Sequence, residues 1–366
     1  MKTGIRLVVP ALFDLLLAVA FDASAARVVL VAGGGANTNT TAALKPTEAR
    51  LSAPFGADLD PAGNLYFVEM TGYRVRQLDH AGLLRVIAGT GAAGDAGDNG
   101  PARQAQFNGM HNLAVAPNGD IYLADTWNNR VRKIDAVTRQ VTAVAGTGKK
   151  GASGDGGPAT QATFGGVYCA SLDPKGEQLY LADLDNFRIR AVDLKTGRVR
   201  TVAGNGQKGV PVDGASAVAS PLVDPRAVVP DAQGRVYILE RSGNALRVVQ
   251  PDGTIWTVAG TGLKGNTGDG GAARQATLNG PKHLCMDLDG SVVIADTENH
   301  VIRRYLPREG KIVRLAGTGK PGSKGVGGSP LEIELNQPHG VHVHADGALY
   351  ICDSSNHRVL KVESGP

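Results

Sequence analysis

Six residues of mixed chemistry recur along this 366-residue sequence at a nearly constant interval of 56 to 58 positions. The set consists of Phe55, His111, Tyr168, Arg226, Lys282 and His339. It contains two cations, two histidines and a tyrosine but no carboxylate, a combination that suits a carboxylate, phosphate, sulfate or developing oxyanion. If the fold brings the six together, they form a candidate anion-binding site. A polar surface with scattered cations is the alternative.

The elements that must position these residues belong to an internal repeat. A short apolar strand that ends in an acidic residue occurs six times, and its acids are separated by 56, 58, 57, 56 and 57 residues. The acids are Glu69, Asp125, Asp183, Glu240, Asp296 and Asp353. Each of the six candidate residues lies 14 positions before its acid, or 15 in the third copy, so all occupy one position of the repeat.

One copy of the repeat predicts four antiparallel strands. In the second copy these are residues 113–116, the acid-ended strand 121–125, the basic strand 130–134 and the strand 141–145, which runs into a glycine turn. Six such units predict an all-β, six-bladed β-propeller of four-stranded antiparallel blades. A strand-like segment with its glycine turn at 28–35 resembles the fourth strand that the last copy lacks. It is expected to complete the C-terminal blade and close the ring.

The first strand of each propeller blade lines the central channel, so the six candidate residues should surround its mouth. We call them the mouth ring, and the side on which they lie the top face. The aromatic residues Tyr73, Trp127 and Phe187 fall in turns that share this face. They could form a partner-binding patch or cap neighbouring blades.

Two sequence patterns carry a resemblance to a known family. Asp-x-x-Asn-x-Arg occurs at 125–130, 183–188 and 353–358, and Val-Ala-Gly-Thr-Gly ends several fourth strands. Both resemble the NHL-repeat family in its bacterial extracytoplasmic form. The fourth and fifth copies depart from the first pattern, with Ala245 and Val301 in place of Arg. The resemblance covers essentially the whole expected mature chain and implies a six-bladed propeller.

Peptide-amidating lyases are similar six-bladed propellers, and the resemblance implies a zinc held by histidines at Pro-His entries to first strands. Pro338-His339 looks like such an entry, and Met110-His111 is similar without the proline. His283 follows one residue late, which turns a strand side chain to the other face. Because catalytic zinc normally takes three protein ligands, zinc or another divalent metal on these histidines is a second hypothesis. The calcium lactonases use oxygen ligands, which the mouth ring lacks.

Two recurrent features are expected to be structural. The acids should pair with a basic residue five positions later, such as Asp125 with Arg130 or Glu69 with Arg74, and hold the intervening turn. Glycine loops such as 154–158 superficially resemble phosphate or calcium loops, but they recur across the copies and open no βαβ unit.

The three cysteines, Cys169, Cys285 and Cys352, have unrelated spacing and predict no disulfide framework. Cys285 and Cys352 lie in apolar runs, where a buried free thiol is expected. Cys169 could form a nucleophile pair with His111, although no orienting acid occurs at a matching position.

Residues 1–25 have the features of a signal peptide. A basic start with Lys2 and Arg6 precedes an apolar run at 7–21, and small residues at 23–25 predict cleavage near Ala25. The apolar run is too short and interrupted to span a membrane, so we expect a periplasmic or secreted protein whose single domain is 26–366. The net charge is +4, and the absence of a dense basic block argues against nucleic acid.

Together these patterns favour an exported, monomeric propeller that binds an anionic small molecule, a glycan or a protein partner at the top-face mouth. The alternative is a metal-assisted lyase or hydrolase centred on His111 and His339. In that enzyme Tyr168, Arg226 and Lys282 would orient an anionic substrate. The sequence leaves open which of the two is correct, and it indicates no cofactor besides the metal.

Overall fold

The computed structural model describes residues 26–38 and 41–363, and the expected signal peptide at 1–25 lies outside the described residues. The described chain forms six four-stranded antiparallel sheets arranged as the blades of a ring, which confirms the predicted six-bladed β-propeller. Helical structure within these ranges consists of single 3₁₀ turns, and none of these helices could cross a membrane.

The strands follow the repeat in chain order, except that β1 (Arg27–Gly33) belongs to the last blade. Blade 1 contains β2 (Pro54–Leu59), β3 (Leu65–Glu69), β4 (Arg74–Leu78) and β5 (Leu84–Ala88), and blade 2 contains β6 (Asn112–Val115), β7 (Ile121–Asp125), β8 (Arg130–Ile134) and β9 (Val141–Ala145). Blade 3 contains β10 (Val167–Leu172), β11 (Gln178–Asp183), β12 (Arg188–Asp193) and β13 (Arg198–Ala203), and blade 4 contains β14 (Pro225–Pro230), β15 (Val236–Glu240), β16 (Ala245–Val249) and β17 (Ile255–Ala259). Blade 5 contains β18 (His283–Met286), β19 (Val292–Asp296), β20 (Val301–Leu306) and β21 (Lys311–Ala316), and blade 6 contains β22 (Pro338–Val343), β23 (Leu349–Asp353) and β24 (Arg358–Glu363).

The 3₁₀ turns lie in the loops between and within blades. They span Pro46–Glu48, Ala102–Gln104, Thr126–Asn128, Ala159–Gln161, Leu184–Asn186, Ala217–Ala219, Ala273–Gln275, Thr297–Asn299, Pro330–Glu332 and Ser354–Asn356.

The N-terminal strand supplies the fourth strand of blade 6. β1 pairs antiparallel with β24, from Arg27 opposite Glu363 to Gly33 opposite Arg358. The first strands β2, β6, β10, β14, β18 and β22 each contact the first strands of the two neighbouring blades, and β22 contacts β2. They therefore surround the central channel. They begin at the top face and end at the bottom face, where hairpins lead into the second strands.

The second strands are buried between neighbouring blades, which is why they read as continuous apolar runs. β3, β7, β15 and β19 are buried along their whole length. The terminal acid of each is also buried and accepts a backbone N–H from the loop that enters the blade, as Asp125 does from Asn108 at 2.8 Å. The recurrent acid therefore ties the entry loop to the blade.

The arginine partners of these acids differ in part from the expected ones. Arg130 and Arg358 do pair with the acids five positions earlier, Asp125 at 3.5 Å and Asp353 at 2.7 Å. Glu69 instead pairs with Arg76 at 2.8 Å rather than with Arg74. The buried acid pairs with the arginine seven positions later, because that arginine side chain lies deeper between the blades than the one five positions later.

The same shift occurs in blade 3, where Asp183 has Arg190 at 3.9 Å instead of Arg188. Arg190 also bonds Asp155 of the preceding glycine loop at 2.7 Å, and Thr201 donates to the same carboxylate. The Asp155 carboxylate is thus bonded to two side chains of blade 3, as expected if this loop has a structural role.

Candidate functional site

The fold brings five members of the mouth ring into one continuous chain of contacts. The Phe55 ring stacks on His339 with centroids 3.9 Å apart and meets the edge of His111 at 5.2 Å. The ring of His111 lies 4.7 Å from that of Tyr168, and the guanidinium carbon of Arg226 lies 4.4 Å from the Tyr168 centroid. These five side chains therefore lie together in one cluster.

Glycine makes the closest of these contacts sterically accessible. A Cβ at Gly340 would collide with the carbonyl oxygen of Phe55, because the backbones of blades 6 and 1 lie close together here. The close approach of the two backbones places the ring of His339 against that of Phe55.

The two histidines of the mouth ring share one local arrangement. Nδ1 of His111 lies 2.6 Å from the carbonyl oxygen of Gly109, and Nδ1 of His339 lies 2.8 Å from that of Gln337. Because a carbonyl can only accept, Nδ1 carries the proton and Nε2 remains an acceptor. Burial, and then the nearby Arg226 and Lys282, lower both pKa values well below the usual 6.5, so both rings are neutral at pH 7.

Arg226 is the least satisfied polar side chain of the mouth ring. It is 4% exposed, and its buried Nε has no hydrogen-bond partner within the described part of the chain. Its closest defined contact is the face of Tyr168. Burial lowers the pKa of Arg226 to about 10, so the guanidinium is still charged at neutral pH. A buried charge without a carboxylate is expensive for the folded protein.

Lys282 is placed differently, because a carboxylate from outside the mouth ring reaches it. Its Nζ lies 2.6 Å from Oε1 of Glu298, whose other oxygen accepts from Gln337 at 3.2 Å. Burial lowers the pKa of Lys282, and the ion pair opposes this shift. The repeat spacing did not indicate Glu298, although this residue occupies the turn after β19, which shares the top face.

A third cation at the mouth was also missed. Arg241 directly follows the acid Glu240 and lowers the pKa values of His111, Arg226 and Lys282 through its charge. One of its nitrogens lies 3.6 Å from Asp224. The corresponding residues in the other copies are Met70, Thr126, Leu184, Thr297 and Ser354. This divergence was visible in the sequence and could have identified Arg241.

The three histidines proposed as metal ligands are not arranged around a common point. The Phe55 ring contacts both His111 and His339. His283 lies one residue deeper in the channel, where its Nε2 accepts from Asn112 at 2.8 Å. Burial lowers the pKa of His283 to about 4. In the described ranges no cluster of three His, Cys, Asp or Glu residues has metal-binding geometry, so these side chains do not fit a shared zinc ion.

The cysteines are free thiols. Cys169 Sγ donates to the carbonyl of Val228 at 3.6 Å, and burial raises its pKa to about 11. Burial also raises the pKa values of Cys285 and Cys352. Because the thiolate is the nucleophile, the environment of Cys169 gives no support to a nucleophile pair with His111.

The rim aromatics differ in exposure. Trp127 is 48% exposed, covers Gly109, and lies 5.9 Å from the ring of His111. Tyr73 and Phe187 are half-buried at turn positions with φ near 51°. Trp127 therefore extends the aromatic side of the mouth ring towards solvent.

Comparison with known proteins agrees with the repeat. The model of the NHL repeat matches residues 107–134 and 335–362. The protein SUPPRESSOR OF QUENCHING 1, chloroplastic, of Arabidopsis thaliana is 27% identical over 289 residues, which cover 76% of this chain and 27% of that protein. NHL repeat-containing protein 2 of Gallus gallus is 25% identical over 339 residues, 84% of this chain and 46% of that protein. The chain thus spans less than half the length of these curated relatives.

A solved structure shares the fold. An auxiliary nutrient binding protein from Bacteroides thetaiotaomicron VPI-5482 has a TM-score of 0.66 at 14% identity, over 92% of this chain and 76% of that chain. At this identity the likeness concerns the fold alone. Repeat matches, relatives and blade architecture agree that the chain is a six-bladed β-propeller that contains matches to the NHL repeat and is similar to NHL-repeat proteins.

Proposed function

We propose that this chain is an exported binding propeller that holds an anionic group at the mouth ring, on a small molecule, a glycan or a protein partner. The observation that carries the proposal is the buried Arg226, which has no carboxylate partner among the described residues. Repeat packing does not require this charge, since the equivalent positions elsewhere hold aromatic rings, histidines and Lys282. An anionic ligand would supply the missing partner in a desolvated setting, where charge-assisted hydrogen bonds are strong.

The neighbouring side chains support a ligand that also carries hydrogen-bond donors. The Nε2 atoms of His111 and His339 are neutral acceptors, and acceptors favour hydroxyl or amide N–H groups. Lys282 and Arg241 add positive charge, while Glu298 restrains Lys282. This set of groups favours an anion that also carries hydroxyl groups and whose negative charge binds Arg226.

Sulfate binding tests the proposal. Isothermal titration calorimetry at constant ionic strength should detect sulfate binding to the wild type, and Arg226→Ala combined with Lys282→Ala should weaken it by about tenfold or more, as expected for lost charged hydrogen bonds. Lys175→Ala combined with Lys195→Ala removes the same charge from two exposed lysines and is the control. Equal sulfate affinity in the two double variants would refute an anion site at the mouth ring.

The pH dependence of sulfate binding should be nearly flat. The pKa values of His111 and His339 are lowered well below 6.5, so neither ring takes up a proton as the pH falls from about 7.5 to about 6.5, the range in which an ordinary histidine begins to titrate. Sulfate keeps its charge over this range. An affinity that increases severalfold on acidification would show that the histidines become protonated and contribute charge, contrary to this expectation.

The alternative function, a metal-assisted lyase or hydrolase, has no specific contact in its favour. It requires His111, His339 and a third ligand to converge, and the intervening Phe55 and the bond from Asn112 to His283 do not fit that requirement. Tyr168, Arg226 and Lys282 are therefore assigned to binding in this proposal.

A further inference from the structure

The central channel is divided by a hydrogen bond that crosses its axis. Asn112 of blade 2 donates from Nδ2 to Nε2 of His283 in the opposite blade 5, at 2.8 Å. The amide oxygen of Asn112 accepts from the backbone of Ala170 at 2.9 Å, which fixes the orientation of the amide. Both side chains are buried. The mouth ring therefore lies on one side of this bridge, and the later residues of the first strands line the channel on the other side.

The bottom half of the channel is a cavity of about 540 Å³. Its wall is mainly apolar and includes Leu113, Val228, Leu284 and Met286. Its size and apolar lining are typical of small-molecule sites. No member of the mouth ring contributes to its wall, so a ligand in this cavity would be independent of the anion site.

Apart from the histidines, the ionisable side chains on the cavity wall that carry a full charge are all acidic. The lining residues include Asp58, Asp60 and Asp173 but neither lysine nor arginine. Asp58 projects from β2, and its Oδ1 lies 3.0 Å from Nδ1 of His342, while its Oδ2 accepts from the backbone of Val115. Within the described ranges, none of these three carboxylates has a Lys or Arg partner.

Other acids at the bottom face form ion pairs with basic side chains of the protein. Asp120 pairs with Lys133 at 3.0 Å, and Asp287 pairs with Arg304 at 2.9 Å. Asp231 pairs likewise with Arg235 at 2.5 Å. The acids of the cavity wall thus differ from their neighbours, and the cavity has a negative electrostatic environment that attracts cations.

We propose that the bottom half of the channel is a second binding site, which takes an organic monocation with an apolar body, such as an alkyl or aryl amine. The ammonium group binds Asp58 beside His342, and the apolar body packs against Leu113, Leu284 and Met286. Asp60 and Asp173, near the opening, favour entry of a cation. The two ends of the channel therefore select ligands of opposite charge.

Three matched probes test the class of ligand. Benzylamine, benzyl alcohol and benzoate have similar apolar bodies and differ in charge. Calorimetry with the full chain should give benzylamine at least about tenfold higher affinity than benzyl alcohol, because the amine adds one ion pair in a partly desolvated site. Benzoate should bind only at the mouth ring, so Arg226→Ala should abolish its binding. Equal affinity for the amine and the alcohol would overturn the proposal.

Two variants locate the site. Asp58→Asn should reduce benzylamine affinity about tenfold or more, as expected for loss of a charged partner. Asp346→Asn is the matched control, because Asp346 also lies 3.0 Å from a histidine nitrogen, on His344, but outside the cavity wall. Ser171→Phe should block the cavity and abolish binding even if Asp58→Asn folds poorly.

The outcomes separate the two sites. Sulfate affinity should be unchanged in Ser171→Phe, and benzylamine affinity should be unchanged when Arg226 and Lys282 are both replaced by Ala. Benzylamine binding that persists in both Asp58→Asn and Ser171→Phe would refute the bottom site, whatever the result for sulfate.

Discussion

Replacement of Arg226 by methionine is expected to stabilise the folded protein and to remove anion binding. The side chain is 4% exposed, and its Nε has no partner among the described residues, so the unliganded protein keeps an uncompensated charge in a desolvated position. Methionine has a similar length without the charge. We expect the free energy of unfolding to rise by about 1–3 kcal/mol, after allowance for the lost contact with Tyr168.

Urea unfolding in sulfate-free buffer measures this effect, and calorimetry with sulfate on the same sample measures the loss of binding. A gain in stability together with lost function is typical of a binding residue that is costly to the fold. A variant that is destabilised by several kcal/mol would instead identify Arg226 as a structural residue, and the anion site would lose its main support.

The equivalent substitution of a paired arginine should have the opposite sign. Arg132 is fully buried, lies 2.7 Å from Asp98 and 3.7 Å from Asp125, and donates to the carbonyls of Gln106 and Ala96. Arg132→Met leaves Asp125 buried with Arg130 as its remaining basic neighbour, removes the cation that pairs with Asp98, and leaves two carbonyls without this donor. We expect a loss of about 3–5 kcal/mol, the usual cost of breaking a buried pair from one side.

The same urea titration checks this result, since Arg132→Met and Arg226→Met make identical chemical changes at two buried sites. Sulfate affinity should be unaffected by Arg132→Met at temperatures where the variant is folded. If both variants shifted stability in the same direction, ion pairing would not be the property that distinguishes the two arginines.

The architecture could be predicted in advance because a repeat is encoded locally. The spacing of Glu69, Asp125 and the later acids sets the number of blades, and alternation of turns and apolar runs sets four strands per blade. The mouth ring followed from the same spacing, because one position of a repeat occupies one height in the ring. The contacts of Phe55, His111 and Tyr168 agree with that reasoning.

The partners of individual side chains could not be predicted in this way. Spacing alone assigned Glu69 to Arg74, whereas burial between blades assigns it to Arg76. Likewise, the mouth ring was expected to lack a carboxylate, and Glu298 reaches Lys282 from a turn outside it. Such pairs depend on how far a side chain extends from its own blade, and strand periodicity carries no information on that distance.

The sequence by itself determined the number of blades, the strand order within each blade and the shared repeat position of the six mouth-ring residues. Only the tertiary structure decided that Arg226 is the cation without a partner, and that Asn112 and His283 divide the channel above a cavity lined by Asp58. The physical reason is that the period of a repeat is a one-dimensional property of the chain. Charge compensation and cavity shape, in contrast, depend on contacts between side chains of different strands and different blades, which are set only when the chain folds and the ring closes.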